Sequence, residues 1–263
     1  MTSPPISPRR ITSRDNPHFK ALRQLAADNT AYRKLGQVWV EGEHLCSAAL
    51  ARGVRLQTWV FSESGWADRS AALAPLESEV WVLPDALFAS LSELPSPGGV
   101  AGLLPLQQAP VMQPQAHTLV LDRVQDAGNV GSMLRSAAAM GVTQVLALKG
   151  TAALWSPKVV RSAMGAHFAL CLIESLHVQD LTFLQAPLVV TLPHRGPWLH
   201  ELAASRALPY PCAWVLGHEG QGVQPDLIER AAWTVRIAQP GGEESLNVAA
   251  AAAICLYTSA TSR

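Results

Sequence analysis

The sequence has no long uncharged hydrophobic run. No segment of its 263 residues approaches the roughly 18–20 apolar residues that cross a bilayer. The first ten residues, MTSPPISPRR, contain no apolar stretch of the kind that secretory signals require. The composition therefore predicts a cytoplasmic protein that does not enter a membrane.

Cysteine is scarce, and its spacing argues against metal and disulfide frameworks. The four cysteines are far apart: Cys46, Cys171, Cys212 and Cys255. Because no Cys-x-x-Cys pair occurs, neither a zinc site nor a set of disulfides is expected, and each thiol is interpreted as a small buried hydrophobic group. Three histidines near the motifs described below also lack metal-ligand spacing, and no metal is predicted: His194, His200 and His218.

The chain also lacks an overall charge, since 20 Lys and Arg residues balance 20 Asp and Glu residues. This balance argues against a strongly electrostatic nucleic-acid binder. The distribution is uneven, because residues 1–36 contain seven basic and two acidic side chains, whereas the remainder has 13 basic and 18 acidic ones. A basic segment of this kind fits an arm that contacts a polyanion, and it equally fits a solvated helix.

Short apolar strands alternate with helices along the whole chain, which is typical of an α/β fold. In the first half, strands are predicted at 36–42, 56–61, 79–84 and 99–106, with helices at 43–53 and 85–94. In the second half, strands of the buried parallel type are predicted at 117–122, 144–149, 167–173, 187–193, 212–217 and 232–238. Helices are predicted there at 129–140, 157–165, 224–232 and 245–259.

A linker is predicted at 107–117, where the sequence QQAPVMQPQAH has two prolines, four glutamines and no charge. It separates a domain at 1–106 from a domain at 118–263. The last predicted helix is apolar almost all round, so we expect it to be fully buried or to lie in a subunit interface.

The first motif is DRVQDAGNVGSMLRSAAAMGV, residues 122–142. Asn129 stands where a helix N-cap is expected, and Arg135 follows on the helix. The neighbours of this arginine one turn away are all small: Gly131, Ser132, Ala138 and Ala139. They leave room for a substrate to approach, although a lone arginine on a helix more commonly extends into water.

The second motif is WVLGHEGQGV, residues 214–223, with Gly217, Gly220 and Gly222 around Glu219. Glycines after a parallel strand allow a ligand to lie against the backbone at the carboxyl end of the strand. The pattern is neither a P-loop nor the usual dinucleotide motif, and an ordinary glycine-rich turn is the alternative.

The third motif is IAQPGGEESLNVAAAAAICLY, residues 237–257. Ser245 is expected to be the N-cap of the last helix. Capping alone does not explain why Asn247 follows so closely before an entirely apolar helix.

Together, Asn-x5-Arg, Leu-Gly-x-Glu-Gly-x-Gly and Ser-Leu-Asn-Val resemble the motifs of the SpoU (TrmH-type) RNA ribose 2′-O-methyltransferases of the SPOUT superfamily. The stretch SPKVVRSAMGAHFAL (156–170) is similar to the segment between the first two motifs of the family. Residues 11–50 are similar to its substrate-binding domain, which is related to ribosomal protein L30e. The chain departs from the family at Asp126-Ala127, where Asp-Pro is common, and at 237–240, where Ile-Ala-Gln-Pro replaces Ile-Pro-Met.

The resemblance implies an α/β fold: a mainly parallel sheet with a deep trefoil knot at the C-terminus, preceded by a smaller L30e-like α/β domain. It implies a homodimer formed through the knotted domain. It also implies that S-adenosylmethionine binds, in a bent form, against Thr191, Leu192, Leu216, Gly217, Gly222, Ile237 and Leu246.

The implied reaction moves a methyl group from a sulfonium to a ribose 2′-hydroxyl. Arg135 matches the catalytic arginine of the family, and we expect it to hold the adjacent phosphate and to stabilise negative charge on the ribose oxygen. The resemblance assigns the shaping of the pocket to Asn129, Ser245 and Asn247. It leaves Glu219 to orient the loops, or to orient Arg135 through a buried ion pair.

The implied partner is RNA, contacted through the basic residues Arg9, Arg10, Arg14, Lys20 and Arg23. Ribosomal RNA of the 23S type is favoured because the accessory domain resembles a ribosomal-protein fold, and transfer RNA is the alternative. A non-catalytic RNA-binding protein and a nicotinamide-dependent oxidoreductase are the rival interpretations. The sequence argues against an oxidoreductase, because it has no Gly-x-Gly-x-x-Gly after the first strand of the domain and no acidic residue at the end of the second strand, QVLALKG.

Overall fold

Two β-sheets, one in each of two structural units, organise the chain in the computed structural model. The structure describes residues 7–73, 78–106, 110–242 and 245–262, without the side chains of 70–73. The first unit comprises Met1–Gln108 and Trp155–Phe168, and the second comprises Ala109–Leu154 and Ala169–Arg263. These units differ from the predicted domain limits, which stay a prediction, by assigning Trp155–Phe168 to the first unit. The start of the predicted linker, residues 107–109, lies outside the described residues.

The sheet of the first unit has five strands in the order β1-β4-β3-β5-β2. The strands are β1 Arg9–Arg10, β2 Gln37–Glu41, β3 Thr58–Ser62, β4 Glu79–Leu83 and β5 Val100–Pro105. The central strand β3 runs parallel to β4 and antiparallel to β5, so the sheet is mixed. The four predicted strands of this half are confirmed within two residues at each end, whereas β1 was not predicted. Its helices are α1 Pro17–Ala27, α2 Ala31–Leu35, α3 Glu43–Ala51, α4 Glu63–Leu73, α5 Asp85–Ala89 and α7 Pro157–Ser162.

Helix α1 lies in the basic segment, for which a solvated helix was one of the two interpretations. Its N-cap is Asn16, whose side-chain oxygen accepts a hydrogen bond from His18 N at 2.9 Å. Pro17 occupies the first helical position, where its missing N–H costs nothing. The Asn-Pro pair is the sequence signal that could have predicted this helix.

The sheet of the second unit has six strands, all parallel, in the order β11-β9-β10-β6-β7-β8. These strands are β6 Thr118–Leu121, β7 Gln144–Leu148, β8 Cys171–Leu176, β9 Leu188–Thr191, β10 Ala213–Leu216 and β11 Trp233–Val235. The parallel α/β fold is therefore confirmed, and five of the six predicted strands agree within three residues at each end. The strand predicted at 167–173 begins only at Cys171, because Ala166–Ala169 form a 3-10 turn. The α-helices of this unit are α6 Ala127–Ala139, α8 Leu199–Ala204, α9 Pro225–Arg230 and α10 Val248–Thr261, and a 3-10 turn lies at Val178–Phe183. A second 3-10 turn, Ala166–Ala169, spans the boundary between the two units at Phe168.

The strand order brings four loops to one edge of the second sheet. Strands β11, β9, β10 and β6 are consecutive neighbours, and in a parallel sheet their carboxyl ends meet at the same edge. Buried valines hold the middle of this sheet, among them Val120, Val190 and Val215, each with no exposed surface. The three motifs predicted from the sequence follow β6, β10 and β11, so this edge gathers them.

The predicted N-caps of two helices are wrong. Helix α6 begins at Ala127, and its N-cap is Asp126, whose carboxylate accepts a hydrogen bond from Asn129 N at 2.7 Å. Helix α10 begins at Val248, and its cap is Asn247 rather than Ser245. In α6, the expected cap Asn129 lies in the first turn and donates its own backbone N–H to the Asp126 carboxylate. In α10, Ser245 lies two residues before Asn247, whose amide oxygen caps the helix.

Helix α10 packs against α6, as its run of alanines would allow. It is not fully buried, since Ile254 and Tyr257 are 39% and 58% exposed. Full burial is therefore wrong for this helix, and a role in a subunit interface stays a prediction, as does the knot.

Within the described ranges, no helix is long and apolar enough to cross a membrane. Nor does the described part of the chain hold a group of three or more His, Cys, Asp or Glu side chains that could bind a metal ion.

The four thiols differ in burial. Burial raises the pKa of Cys46 and of Cys212 to about 12, and it also raises the pKa of Cys255. Cys171 is only half-buried, so the interpretation of all four as buried groups is wrong for this one. Its pKa is raised by burial as well.

We expect a thiol reagent such as dithionitrobenzoate at pH 8 to modify Cys171 first in the native protein, and all four cysteines after denaturation in urea. A Cys171→Ser variant should lose the fast phase of the reaction. Rapid modification of two or more thiols in the native protein would contradict this assignment.

Candidate active site

The glycine-rich loop, residues 217–224, folds back on itself after β10. His218 and Gly222 exchange two backbone hydrogen bonds, of 3.1 and 2.8 Å. A Cβ at Gly217 would lie 2.3 Å from the backbone of Gly222 and of Val223. Gly217 is therefore required because the loop packs against its own backbone, and the close approach of a ligand to its backbone stays a prediction.

His218 shapes the same loop with its side chain. Its Nδ1 accepts hydrogen bonds from Gly220 N at 2.9 Å and from Gln221 N at 3.2 Å. The sequence assigned no role to this histidine, because such contacts depend on a turn that only the fold defines. Gly222 has φ +67°, a left-handed conformation that favours glycine.

Glu219 fastens the glycine-rich loop to the loop that follows β6. Its carboxylate accepts hydrogen bonds from Gln125 N at 3.2 Å, from Asp126 N at 3.1 Å and from Asn129 Nδ2 at 3.1 Å. Desolvation acts to raise the pKa of Glu219, but these hydrogen bonds and one from its own backbone outweigh it and lower the pKa. The geometry is that of a residue that orients loops.

The predicted alternative, a buried ion pair between Glu219 and Arg135, is wrong. Glu219 is exposed, and Arg135 has no hydrogen bond or ion pair with any described residue. Arg135 lies exposed in the second half of α6, so its guanidinium is available to a ligand.

Asn129 connects the first motif to the third. Its Oδ1 accepts a hydrogen bond from Asn247 Nδ2 at 3.0 Å, while its own Nδ2 donates to Glu219. The Oδ1 of Asn247 caps α10 by accepting from Ala249 N and Ala250 N. Glu219, Asn129 and Asn247 therefore form one chain of hydrogen bonds across residues of all three motifs.

The residues expected at the cofactor lie at neighbouring strand ends. Thr191 closes β9 and Leu216 closes β10, while Ile237 follows β11 by two residues. Leu192 N donates to Val235 O at 2.9 Å, so the ends of β9 and β11 are held together. Ser245 and Leu246 are exposed just before α10, next to residues 243–244, which lie outside the described part. The cofactor and catalytic roles of all these residues stay predictions.

Asp122 is a site residue that sequence reasoning missed. It is fully buried at the end of β6, and it accepts hydrogen bonds from Gln224 N at 2.7 Å and Gln224 Nε2 at 2.9 Å. An acidic residue directly after a buried strand is the signal that could have identified it, since a buried carboxylate requires partners.

The basic residues of the N-terminal segment lie on the surface of the first unit. Three of them form exposed ion pairs: Arg9 with Glu79 at 3.9 Å, Arg10 with Glu63 at 2.9 Å and Lys20 with Asp15 at 3.2 Å. Arg14 and Arg23 are exposed and make no side-chain hydrogen bond or ion pair with a described residue.

The comparison with protein families agrees with the site. Residues 116–257 match the model of the SpoU rRNA methylase family. The chain belongs to this family. Residues 16–102 match a second model, the MRM3-like substrate binding domain. The family resemblance derived from the three motifs is thus confirmed, and the nicotinamide-dependent alternative is wrong.

The relatives extend over nearly the whole chain. An uncharacterized tRNA/rRNA methyltransferase of Synechocystis is 33% identical over 94% of this chain and 92% of its own length. The 23S rRNA (guanosine(2553)-2′-O)-methyltransferase RlmP of Bacillus subtilis is 28% identical over 95% of this chain and 98% of its own. The crystal structure of an AdoMet-bound rRNA methyltransferase from Sinorhizobium meliloti superposes with a TM-score of 0.81 at 26% identity, covering 95% of this chain and 97% of the other. The chain is an RNA methyltransferase.

A Glu219→Gln variant tests the loop fastening through pH. Because the folded-state pKa of Glu219 is lowered, its charge stabilises the fold above its ordinary value of 4.5, and this stabilisation is lost as pH falls through the folded-state pKa. We expect the melting temperature of the wild type to exceed that of the variant at pH 6–7, and the two to converge in acid. Glu201→Gln, on the exposed face of α8, is the matched control. A difference between wild type and Glu219→Gln that persists unchanged at pH 3 would contradict this role.

Proposed function

We propose that this chain transfers the methyl group of S-adenosylmethionine to a ribose 2′-hydroxyl of ribosomal RNA, of the 23S type. Two observations carry the proposal: the guanidinium of Arg135 is exposed and has no partner among the described residues, and Glu219, Asn129 and Asn247 form a chain of hydrogen bonds across the three motifs. The Bacillus relative is named as a 23S rRNA 2′-O-methyltransferase, which supports both the ribose 2′-oxygen as the methylated atom and 23S rRNA as the substrate.

The edge of the sheet fits a nucleoside cofactor. Loops after four adjacent parallel strands converge there, and α/β sheets bind ligands at such edges. In the loop after β11, the buried side-chain oxygen of Gln239 has no donor among the described residues. A ligand that supplied a donor would remove the cost of that unpaired oxygen. The AdoMet-bound relative from Sinorhizobium supports S-adenosylmethionine as this ligand.

When bound, S-adenosylmethionine supplies an electrophilic methyl group on a sulfonium. Thr191, Leu192, Leu216, Gly217, Gly222, Ile237 and Leu246 are the residues that would hold it. The residues of this chain then have to align a poor nucleophile with that methyl group and to assist the loss of its proton.

Arg135 serves this chemistry as a fixed cation. Arginine side chains keep their proton in proteins, so an ordinary general-base role is excluded for Arg135. Its guanidinium instead holds the phosphate beside the target ribose and stabilises negative charge on the 2′-oxygen. Asn129, Asn247 and Ser245 shape the pocket around that oxygen, and Glu219 keeps the loops in place.

The basic segment of the first unit contacts the RNA backbone. Arg14 and Arg23 are exposed and unpaired within the described residues, so phosphates can bind them directly. The exposed ion pairs of Arg9, Arg10 and Lys20 are weak enough to be exchanged for phosphates. The family match of residues 16–102 to a substrate-binding domain supports this role.

The active form is a homodimer joined through a knotted second unit. The exposed Ile254 and Tyr257 of α10 are the apolar residues that a second copy would cover.

Transfer RNA is the second candidate substrate, and the Synechocystis relative, named as a tRNA/rRNA methyltransferase, favours keeping it in the test.

The experiment that tests the function is the incorporation of labelled methyl groups into total rRNA and total tRNA from cells that lack this protein. We expect label in 23S rRNA at one linkage that resists alkali, because 2′-O-methylation blocks attack by the 2′-hydroxyl. Label only in tRNA would select the alternative substrate. Label that is sensitive to alkali would contradict ribose methylation.

An Arg135→Ala variant should lose methyl transfer by about 100-fold or more, since its guanidinium stabilises charge that develops during the reaction. Binding of S-adenosylhomocysteine, measured by calorimetry, should change little. Arg52→Ala, at the exposed C-terminal end of α3, is the control that should keep wild-type rates. Equal rates for Arg135→Ala and the wild type would exclude the mechanism.

Replacing Arg14 and Arg23 together by Ala should weaken RNA binding and flatten its salt dependence by about 0.7–0.9 per lost phosphate contact. Affinity for S-adenosylhomocysteine should be unaffected. The slope of log K against log salt, compared with that of Arg52→Ala, measures the contribution. Equal slopes for the double variant and the wild type would show that Arg14 and Arg23 do not contact RNA phosphates.

A further inference from the structure

Arg123 has an unfavourable backbone conformation at the start of the loop after β6. Its φ is +59°, a left-handed value that is uncommon for residues other than glycine. Such strain persists only where surrounding interactions hold it, and it is concentrated at functional sites. The side chain of Arg123 provides those interactions.

The guanidinium of Arg123 binds three groups at once. Nε donates to Asp122 Oδ1 at 2.8 Å, and Nη2 donates to Asp122 Oδ2 at 3.3 Å, a forked pair with a fully buried carboxylate. Nη1 donates to Gln221 Oε1 at 2.8 Å, and Nη2 also donates to Gly222 O at 3.3 Å. The arginine therefore joins the end of β6 to the tip of the glycine-rich loop.

The buried carboxylate holds the same loop from its far end, because Asp122 accepts from both the backbone and the side chain of Gln224. A third loop packs on the stem of Arg123, since a Cβ at Gly150 would lie 3.1 Å from Arg123 Cγ. These contacts are separate from those of Glu219, which holds the loop through Gln125, Asp126 and Asn129.

We propose that Arg123, fixed by Asp122, is a positioning residue that holds the glycine-rich loop in the conformation that binds the methyl donor. This inference rests on the proposed function of the loop. Arg123 acts on the loop through its hydrogen bonds to Gln221 and Gly222. It does not contact the reacting atoms, which are the role proposed for Arg135. Loss of the guanidinium therefore weakens cofactor binding while the rate at saturating cofactor is retained.

The variants separate the backbone from the side chain. Arg123→Gly removes the guanidinium, and glycine adopts the left-handed conformation without strain. A loss of cofactor binding in this variant therefore does not come from backbone strain. Arg123→Lys keeps the charge but cannot make the forked contact. Arg206→Gly is the matched control, because Arg206 is an exposed arginine with φ +54° and its side chain has no partner among the described residues.

Calorimetric titration with S-adenosylhomocysteine is the first readout, and the second is the KM for S-adenosylmethionine against kcat in methyl transfer. We expect the Kd and KM of Arg123→Gly to rise about 10-fold, with kcat within about 2-fold of the wild type. Arg123→Lys should lie in between, and Arg206→Gly should match the wild type. If Arg123→Gly does not fold, Arg123→Lys serves as the test: a rise in its Kd and KM with unchanged kcat supports the proposal, and wild-type values contradict it.

Wild-type Kd in Arg123→Gly, or a loss of kcat without a change in Kd, would overturn the proposal. A wild-type protein that binds S-adenosylhomocysteine but methylates no RNA would overturn the proposed function and leave this inference standing on its binding data. A wild-type protein that binds no S-adenosylhomocysteine would overturn both.

Discussion

The candidate site depends on how two loops from neighbouring parallel strands satisfy each other's polar groups. Loops at the carboxyl edge of a parallel sheet have backbone N–H groups that no strand can pair. Glu219 accepts two of these N–H groups from the loop after β6, and Asp122 accepts one from the loop after β10. Because each carboxylate comes from the opposite loop, the two loops hold a fixed relation to one another. Asn129 and Asn247 extend that relation to α10.

This arrangement divides the work between residues that shape the site and one residue that is left available. The side chains of Glu219, Asn129 and Asn247 are occupied by hydrogen bonds within the fold, whereas Arg135 has no partner among the described residues. Under the proposed mechanism, loops held by their own hydrogen bonds suit charge stabilisation by Arg135, because such groups need not reorganise during the reaction. The position of Arg135 on α6, a helix packed against α10, adds to that rigidity.

The strands of both sheets could be predicted because buried strands have continuous apolar runs, as in TLVL of β6 and AWVL of β10. The motifs predicted the family correctly. The caps of α6 and α10 could not be read correctly, since several polar residues near each start compete for the same N–H groups. The roles of Asp122, Arg123 and His218 depend on contacts that span up to about a hundred residues or on one tight turn, and a sequence pattern contains neither. Of the two alternatives for Glu219, the ion pair with Arg135 was wrong, because the carboxylate accepts backbone N–H groups of the loop after β6 instead.

The measurement that tests the central claim most directly is a crystal structure of the protein with S-adenosylhomocysteine. The account predicts that the ligand lies across the carboxyl ends of β9, β10 and β11, against the glycine-rich loop. It predicts that the hydrogen bonds from Gln125, Asp126 and Asn129 to Glu219 are intact in the complex. A ligand bound at another edge of the sheet, or a complex in which Glu219 has released the loop after β6, would contradict the account.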